Sequence, residues 1–233
     1  RLHHAERLAG LGQLVAGVAH EIRNPLGIIK GTVQLLERDM ESGPALDKYR
    51  KHLQVIQEQV ARQNRVVEEL LTYARPVKPQ FGPVCVPEIL DSVLAFLGPS
   101  LRQQGISYDM SVSDSVPTVQ GDGEKLKQVF VNLLLNSKEA LPQGGQIYIN
   151  VAVEGNLLEV KISDNGQGIS PEHLKHVFEP FYSTKDAGTG LGLSIARQLV
   201  ELHRGVLTAE SQSGSGSVFT VCIPIGGEPC AQF

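Results

Sequence analysis

The sequence predicts an α+β chain of 233 residues: an antiparallel helical hairpin that pairs with a second copy as a four-helix bundle, followed by a two-layer α/β sandwich. Three observations carry that expectation. The first 75 residues place apolar side chains at alternating steps of three and four, the seam of a coiled coil. A proline-punctuated stretch, Arg75-Pro-Val-Lys-Pro79, then interrupts the chain as a short, stiff linker. Beyond it, strand-like alternation and helical periodicity follow one another, which suits helices laid on one face of a sheet.

The hairpin begins with Leu8, Leu11, Val15, Val18 and Ile22 on one stripe. Pro25 interrupts this pattern, which resumes one residue late as Leu26, Ile29, Val33, Leu36 and Met40. A proline within a helix removes a hydrogen bond, so a kink with a shifted seam is expected here. Glu41-Ser-Gly-Pro44 is a helix-breaking turn. The second helix carries Tyr49, Leu53, Ile56, Val60, Val67, Leu70 and Ala74 on one face. Two helices alone bury little surface, so a homodimer is expected. The alternative is that the hairpin packs on the rest of its own chain. The expected limits are 1–75 for the hairpin, 76–82 for the linker, 83–226 for the second domain and 227–233 for a tail.

In the second domain, Pro87 to Gln103 reads as a helix and Ile106 to Ser113 as a strand. Asp122 to Leu141 is a strong helix with Asp122 as its N-cap. Gln146 to Val153 and Leu157 to Ser163 alternate on either side of Glu154-Gly-Asn156, a hairpin signal. A helix over Leu191–Leu202 precedes strands near Val206–Glu210 and Val218–Pro224.

A formal charge of −4 and a pI near 6.0 give no electrostatic reason for nucleic-acid binding, and none is expected. Cys85, Cys222 and Cys230 have no metal-ligand spacing and read as thiols in a reducing compartment. No apolar run approaches the roughly 20 residues that span a bilayer, so no membrane contact is expected of these residues. The opening residues already belong to an amphipathic helix and include no start methionine. The expectation is a cytoplasmic fragment of a longer protein, whose missing part is free to carry a membrane anchor.

With Leu8, Val15 and Ile22 at heptad position a, His20 falls at f, farthest from the seam. That position leaves a solvated surface histidine or a reactive one. Asn24, four residues on, shares its face, and Glu21 is adjacent. An exposed imidazole, with an ordinary pKa near 6.5, is a competent nitrogen nucleophile at neutral pH. The run His20-Glu21-Ile22-Arg23-Asn24-Pro25-Leu26 resembles the H box of sensor histidine kinases. The resemblance implies that His20 is the phosphoacceptor, that Glu21 assists as a base and that Asn24 positions water for dephosphorylating the partner. It also implies a response-regulator receiver domain as partner, and the hairpin as a surface for inhibitory or regulatory proteins.

Two glycine-rich stretches follow. Asp164-Asn-Gly166-Gln-Gly168 comes after a strand, and reads either as a bare turn or as a loop whose backbone passes close to a ligand. Gly188-Thr189-Gly190-Leu191-Gly192 opens a helix, where backbone N–H groups suit phosphate oxygens. Asn132 and Asn136 sit one turn apart on an otherwise apolar helix. They read either as a buried polar network or as amides facing metal and phosphate. Lys185 stands just before the second cluster, as a counter-charge or as a solvated lysine.

The order of these pieces, with Phe178-Glu-Pro-Phe181 between the glycine stretches, resembles the N, G1, F and G2 boxes of an ATP-binding domain. That domain, the Bergerat fold, is shared by histidine kinases, gyrase, heat-shock protein ninety and mismatch-repair ATPases. The resemblance implies ATP and Mg²⁺, with Asp164 reading the adenine amino group and Asn136 holding the metal. The glycines and Ser183–Gly188 would form a lid over the phosphates. The hydrolytic members carry a glutamate where this chain has Asn132, which favours phosphoryl transfer to His20 over a plain ATPase or a non-catalytic scaffold. Ser137 and Arg204 depart from the family pattern of alanine and glycine, and neither is expected to touch the chemistry. The short lid and the Glu-Pro-Phe-Tyr-Ser-Thr-Lys run most resemble kinases paired with nitrogen-regulation-type response regulators.

Overall fold

The computed structural model describes residues 22, 24–36, 38–40, 46–74, 79–184 and 189–229. His20, Glu21, Lys185 and Gly188 lie outside them. The chain divides into two compact units, Arg1–Val77 and Lys78–Phe233.

In the first unit, residues 24–36 and 38–40 are helical (α1), and α2 spans Leu46–Ala74. Pro25 is buried within α1. Thr32, only 7% exposed, satisfies its hydroxyl by donating to the Ile28 carbonyl one turn back at 2.8 Å. The two helices meet where α1 ends: Tyr49 Oη donates to the Asp39 carbonyl at 3.2 Å, and His52 Nε2 lies 3.2 Å from the Asp39 carboxylate. Leu26, Val33 and Met40 on α1, and Leu53, Val60 and Val67 on α2, are exposed. These are the seam positions, and in one copy of the hairpin they remain an apolar stripe facing water. No helix among the described residues is long and apolar enough to cross a membrane.

The second unit is a seven-stranded sheet ordered β1-β3-β7-β5-β4-β2, with β6 also paired to β7. Its strands are β1 (Gly82–Val84), β2 (Ile106–Val112), β3 (Pro117–Gly121), β4 (Gly145–Glu154), β5 (Leu157–Asp164), β6 (Val206–Gln212) and β7 (Gly216–Pro229). The helices are α3 (Val86–Gln103), α4 (Gly123–Ala140), a single turn α5 (Pro171–Leu174) and α6 (Gly192–Leu202). The expected β-hairpin is β4 and β5, antiparallel from Ile147↔Asp164 to Glu154↔Leu157. β2 instead runs parallel to β4. The last strand continues through Pro229, into the residues expected as a tail, and pairs there with Pro117 of β3.

Period-two alternation puts Ile147, Ile149 and Val151 of β4, Leu158, Val160 and Ile162 of β5, and Phe219, Val221 and Ile223 of β7 on one buried face. Leu90 and Leu101 of α3, Phe130, Leu133 and Leu134 of α4, and Ile195 and Leu199 of α6 are also fully buried. Each such side chain contributes about 1.5–3 kcal/mol relative to exposure. The result is two layers, helices on sheet, with an aliphatic core.

α4 is fixed at both ends. Asp122 caps its start by accepting from the N–H groups of Glu124 (3.1 Å) and Lys125 (3.2 Å). The same carboxylate accepts from the Gln80 N–H at 2.9 Å, and the Asp122 N–H donates to buried His203 Nε2 at 2.9 Å. At the other end, the Gln104 amide donates to the carbonyls of Lys138 (3.0 Å) and Leu141 (2.9 Å). These bonds matter because α4 carries three of the residues around which the candidate site is built.

Candidate functional site

Asp164 is the last residue of β5 and falls on the inward face, in register with Ile147 of β4 and Ser217 of β7. Its carboxylate is therefore delivered to the end of the core, where the residue is 6% exposed. Oδ1 accepts from the Gly166 N–H at 3.0 Å and Oδ2 from the Ser137 hydroxyl at 3.2 Å. Ser137 is fully buried on α4. Ser137, expected to stand apart from the chemistry, is thus hydrogen-bonded to Asp164. α4 packs over the end of β5, and this position on the helix faces the strand.

The loop after Asp164 is tied to its surroundings. Gln167 N–H donates to the Ala140 carbonyl at 3.2 Å, Gly214 N–H to the Gln167 carbonyl at 2.7 Å, and Ile169 N–H to Ser211 Oγ at 2.8 Å. Gly168 has a φ of +67°, and a Cβ there would run into the Gln212 carbonyl. The space that glycine leaves is thus taken by the residues flanking the turn between β6 and β7. A Cβ at Gly166 would likewise lie 2.5 Å from the Ala140 carbonyl.

Asn132 and Asn136 are both half-buried on α4. Asn132 Nδ2 donates to the Gly192 carbonyl at 3.0 Å, joining the middle of α4 to the first residue of α6. Asn136 lies one turn further along, beside Ser137. The start of α6 has Leu191 as its N-cap residue, with no side-chain cap. The Leu191 N–H turns back to Thr189 Oγ1 at 3.2 Å. Uncapped N–H groups and the positive end of the helix suit an anionic group there. Gly190 has a φ of +67°, and its carbonyl accepts from the Phe181 N–H at 3.1 Å. The Phe-rich run and the second glycine cluster therefore close against each other. Phe181 itself sits at φ 64°, an uncommon conformation for an aromatic residue.

Around one end of the sheet the structure thus brings together Asp164, Gly166, Gly168, Ser137, Asn136, Asn132, Thr189, Gly190, Leu191 and Gly192. An acceptor-only carboxylate on a fixed floor, an amide and a helix start form a donor–acceptor set that fits a nucleotide: a base bearing an amine, and a charged phosphate tail. Asn24 is helical and exposed in the first unit.

Comparison with known proteins assigns the same two parts. Residues 121–227 match the family described as histidine kinase-, DNA gyrase B- and HSP90-like ATPase, and residues 11–78 match the His Kinase A (phospho-acceptor) domain. The catalytic domain of histidine kinase ThkA is 31% identical, with a TM-score of 0.58 over 62% of this chain and 95% of that one. The chain belongs to the histidine kinase family. A crystal structure of the histidine kinase ThkA with the response regulator protein TrrA aligns over 96% of this chain and 64% of that one, at 29% identity and a TM-score of 0.83. The sensor histidine kinase ZraS of Escherichia coli K12 is 36% identical over 94% of this chain. The chain spans 47% of the length of that relative.

Within the kinase, sequence reasoning missed Ser137 as part of the carboxylate site. The available signal was a hydroxyl beside Asn136 on an apolar helix face, a group that needs a partner when buried.

Proposed function

We propose that this chain is the catalytic core of a cytoplasmic sensor histidine kinase, which autophosphorylates His20 with ATP and passes the phosphoryl group to an aspartate on a response-regulator receiver domain. The observation that carries the nucleotide half is the buried Asp164 carboxylate, fixed by Gly166 and Ser137 at the floor of the site. There it reads the exocyclic amine of adenine. Gly166 and Gly168 shape the floor. Lys185, Gly188, Thr189, Gly190, Leu191 and Gly192 close over the phosphates. Asn136 would hold Mg²⁺, which would supply charge neutralisation at the phosphates.

In the transfer step, a nitrogen of His20 attacks the γ-phosphorus in line. The new N–P bond forms as the bond to the bridging oxygen breaks, and ADP leaves. Glu21 takes the imidazole proton. Rate enhancement comes mainly from positioning and charge neutralisation. The phosphorus–nitrogen bond keeps the group reactive enough for a carboxylate acceptor, and Asn24 places water to hydrolyse the regulator's aspartyl phosphate, releasing inorganic phosphate. The exposed seam residues of α1 and α2 support pairing of two copies into a homodimer. The same hairpin offers the docking face for the regulator and for inhibitory proteins. The short segment between Phe181 and Gly190 supports assignment to the nitrogen-regulation-like branch. The domain limits proposed from the sequence, with a linker at 76–82, let the ATP-binding part travel to His20 and retreat.

The test is incubation with γ-labelled ATP and Mg²⁺, comparing the native chain with His20→Gln. Label on the protein that is lost in acid, stable in alkali and absent from the variant is the expected result. ATP turnover with no labelled protein would overturn the proposal in favour of a hydrolase.

A further inference from the structure

We infer that Ser137 is a positioning residue for base recognition: its hydroxyl sets the orientation in which the Asp164 carboxylate meets the amine of the nucleotide base. The inference rests on the reading of Asp164 proposed above. It starts from a cost. A hydroxyl on a helix, fully buried among aliphatic side chains, is unfavourable without a partner. Serine within a helix commonly returns its hydroxyl to the carbonyl four residues back. Ser137 instead donates to Asp164 Oδ2 at 3.2 Å, across the boundary between α4 and β5.

The two carboxylate oxygens are thereby held by donors from different elements. Gly166 N–H, in the loop that follows the strand, holds Oδ1 at 3.0 Å. One backbone bond still allows the carboxylate plane to rotate about its single bond to Cβ. A second donor on the other oxygen, from a helix capped at both ends, fixes that plane. An ionised carboxylate has about four lone-pair sites. Donors on both oxygens set the direction in which the carboxylate meets a ligand. A base presenting an N–H donor there is accepted. A base presenting hydrogen or a carbonyl leaves the carboxylate unpaired or opposed, which is how a hydrogen-bonding site rejects the wrong ligand.

Ser137→Ala removes the hydroxyl with little change of volume. Removing one hydrogen-bonding partner from a buried carboxylate corresponds to about three- to tenfold in affinity. The loss should be confined to ligands that bear the amine. Calorimetric binding to this chain is measured with ADP and with the purine riboside diphosphate that carries hydrogen in place of the 6-amino group. ADP should weaken about three- to tenfold in Ser137→Ala, while the deaminated analogue should change less than twofold. Ser137→Cys, nearly isosteric and a weak donor, should fall between the two. In the kinase assay the loss should appear in KM for ATP, with kcat nearly unchanged.

Equal weakening of both nucleotides would show a merely structural serine and overturn the inference. Unchanged ADP binding in a folded Ser137→Ala chain would overturn it equally. Asp164→Asn keeps the two failures apart. If that variant and the native chain both bind ADP and the analogue alike, the reading of Asp164 itself is wrong. If Asp164→Asn abolishes the preference while Ser137→Ala keeps it intact, only the role of Ser137 fails.

Discussion

Asn132 offers a test in which the isosteric substitution should cost more than the truncation. Its amide nitrogen donates to the Gly192 carbonyl at 3.0 Å, and the side chain is half-buried. Asn132→Ala deletes the bond and exposes the carbonyl to water, a loss of about 0.5–1.5 kcal/mol. Asn132→Asp keeps the shape but turns the donor into an acceptor. A carboxylate oxygen would then face a carbonyl oxygen at nearly the same distance. The lost bond plus the penalty of an unsatisfied charged group comes to about 2–4 kcal/mol. In a domain of this size 1 kcal/mol moves the melting temperature by about 2–4 °C. Asn132→Asp should therefore melt about 4–16 °C below the native chain, and Asn132→Ala only about 1–6 °C below. Acidification toward pH 4 protonates the new carboxyl, restores a donor and narrows the gap. Hydrogen exchange should place the loss at the first turn of α6. If the aspartate variant is as stable as the alanine variant at neutral pH, the bond between α4 and α6 does not hold as drawn here.

Two further outcomes follow from the ends of the helices. Burial alone would raise the pKa of Asp122, but the N–H groups of Gln80, Lys125 and Glu124, with the charge of Lys125, hold it below the ordinary value. A carboxylate depressed in the folded state contributes stability that is fully present above the unfolded pKa, about 3.9, and is lost as pH falls through the folded value. The difference in melting temperature between the native chain and Asp122→Asn should hold from pH 5 to 7, begin to shrink only below about pH 4 and vanish once the pH is under the depressed folded value; a difference independent of pH would refute the charged cap. Arg204 has a φ of 57°, while its N–H donates to the Glu201 carbonyl at 2.9 Å and the Gly205 N–H to Val200 at 3.0 Å. This is a Schellman closure of α6 with arginine where glycine is favoured. Arg204→Gly should stabilise the chain by about 0.5–1 kcal/mol, a rise of about 1–4 °C in a melting experiment, and a lower melting temperature would contradict the strain argument.

The parts legible in the sequence were those written in short-range chemistry. Asp122 announced α4 because a carboxylate before an amphipathic run is a cap, and Glu154-Gly-Asn156 announced the hairpin of β4 and β5. β1 and β3 were missed because three and five residues with prolines give too few alternations to register as strands. α5 is a single turn. The site divided in the same way. The order of asparagines, Asp164 and glycine clusters could be read along the chain, yet what each group touches could not. Gly168 looked like an opening for a ligand, and its missing Cβ is answered by Gln212, 44 residues away in the chain. Gly192 belongs to the same cluster by pattern, yet a side chain there would meet nothing within 4 Å. Ser137 was set aside as a departure from the family's alanine because its partner, Asp164, lies across the boundary between helix and sheet.

The use made of Asn132 also bears on what the nucleotide end can do. An amide takes up no proton near neutral pH, so it cannot serve as the base that turns water into a nucleophile. Its amide nitrogen donates one hydrogen bond to the Gly192 carbonyl. A glutamate at this position could take up a proton, but would forfeit the bond that joins α4 to the start of α6. The same substitution that supplies a base therefore weakens the element offered to the phosphates. In the proposed reaction this arrangement holds ATP without using it up on water. The nucleophile must be brought in, and His20 belongs to the other compact unit of the chain. It follows that Asn132→Glu should not produce an efficient ATPase by itself, because the base arrives with a loosened α6.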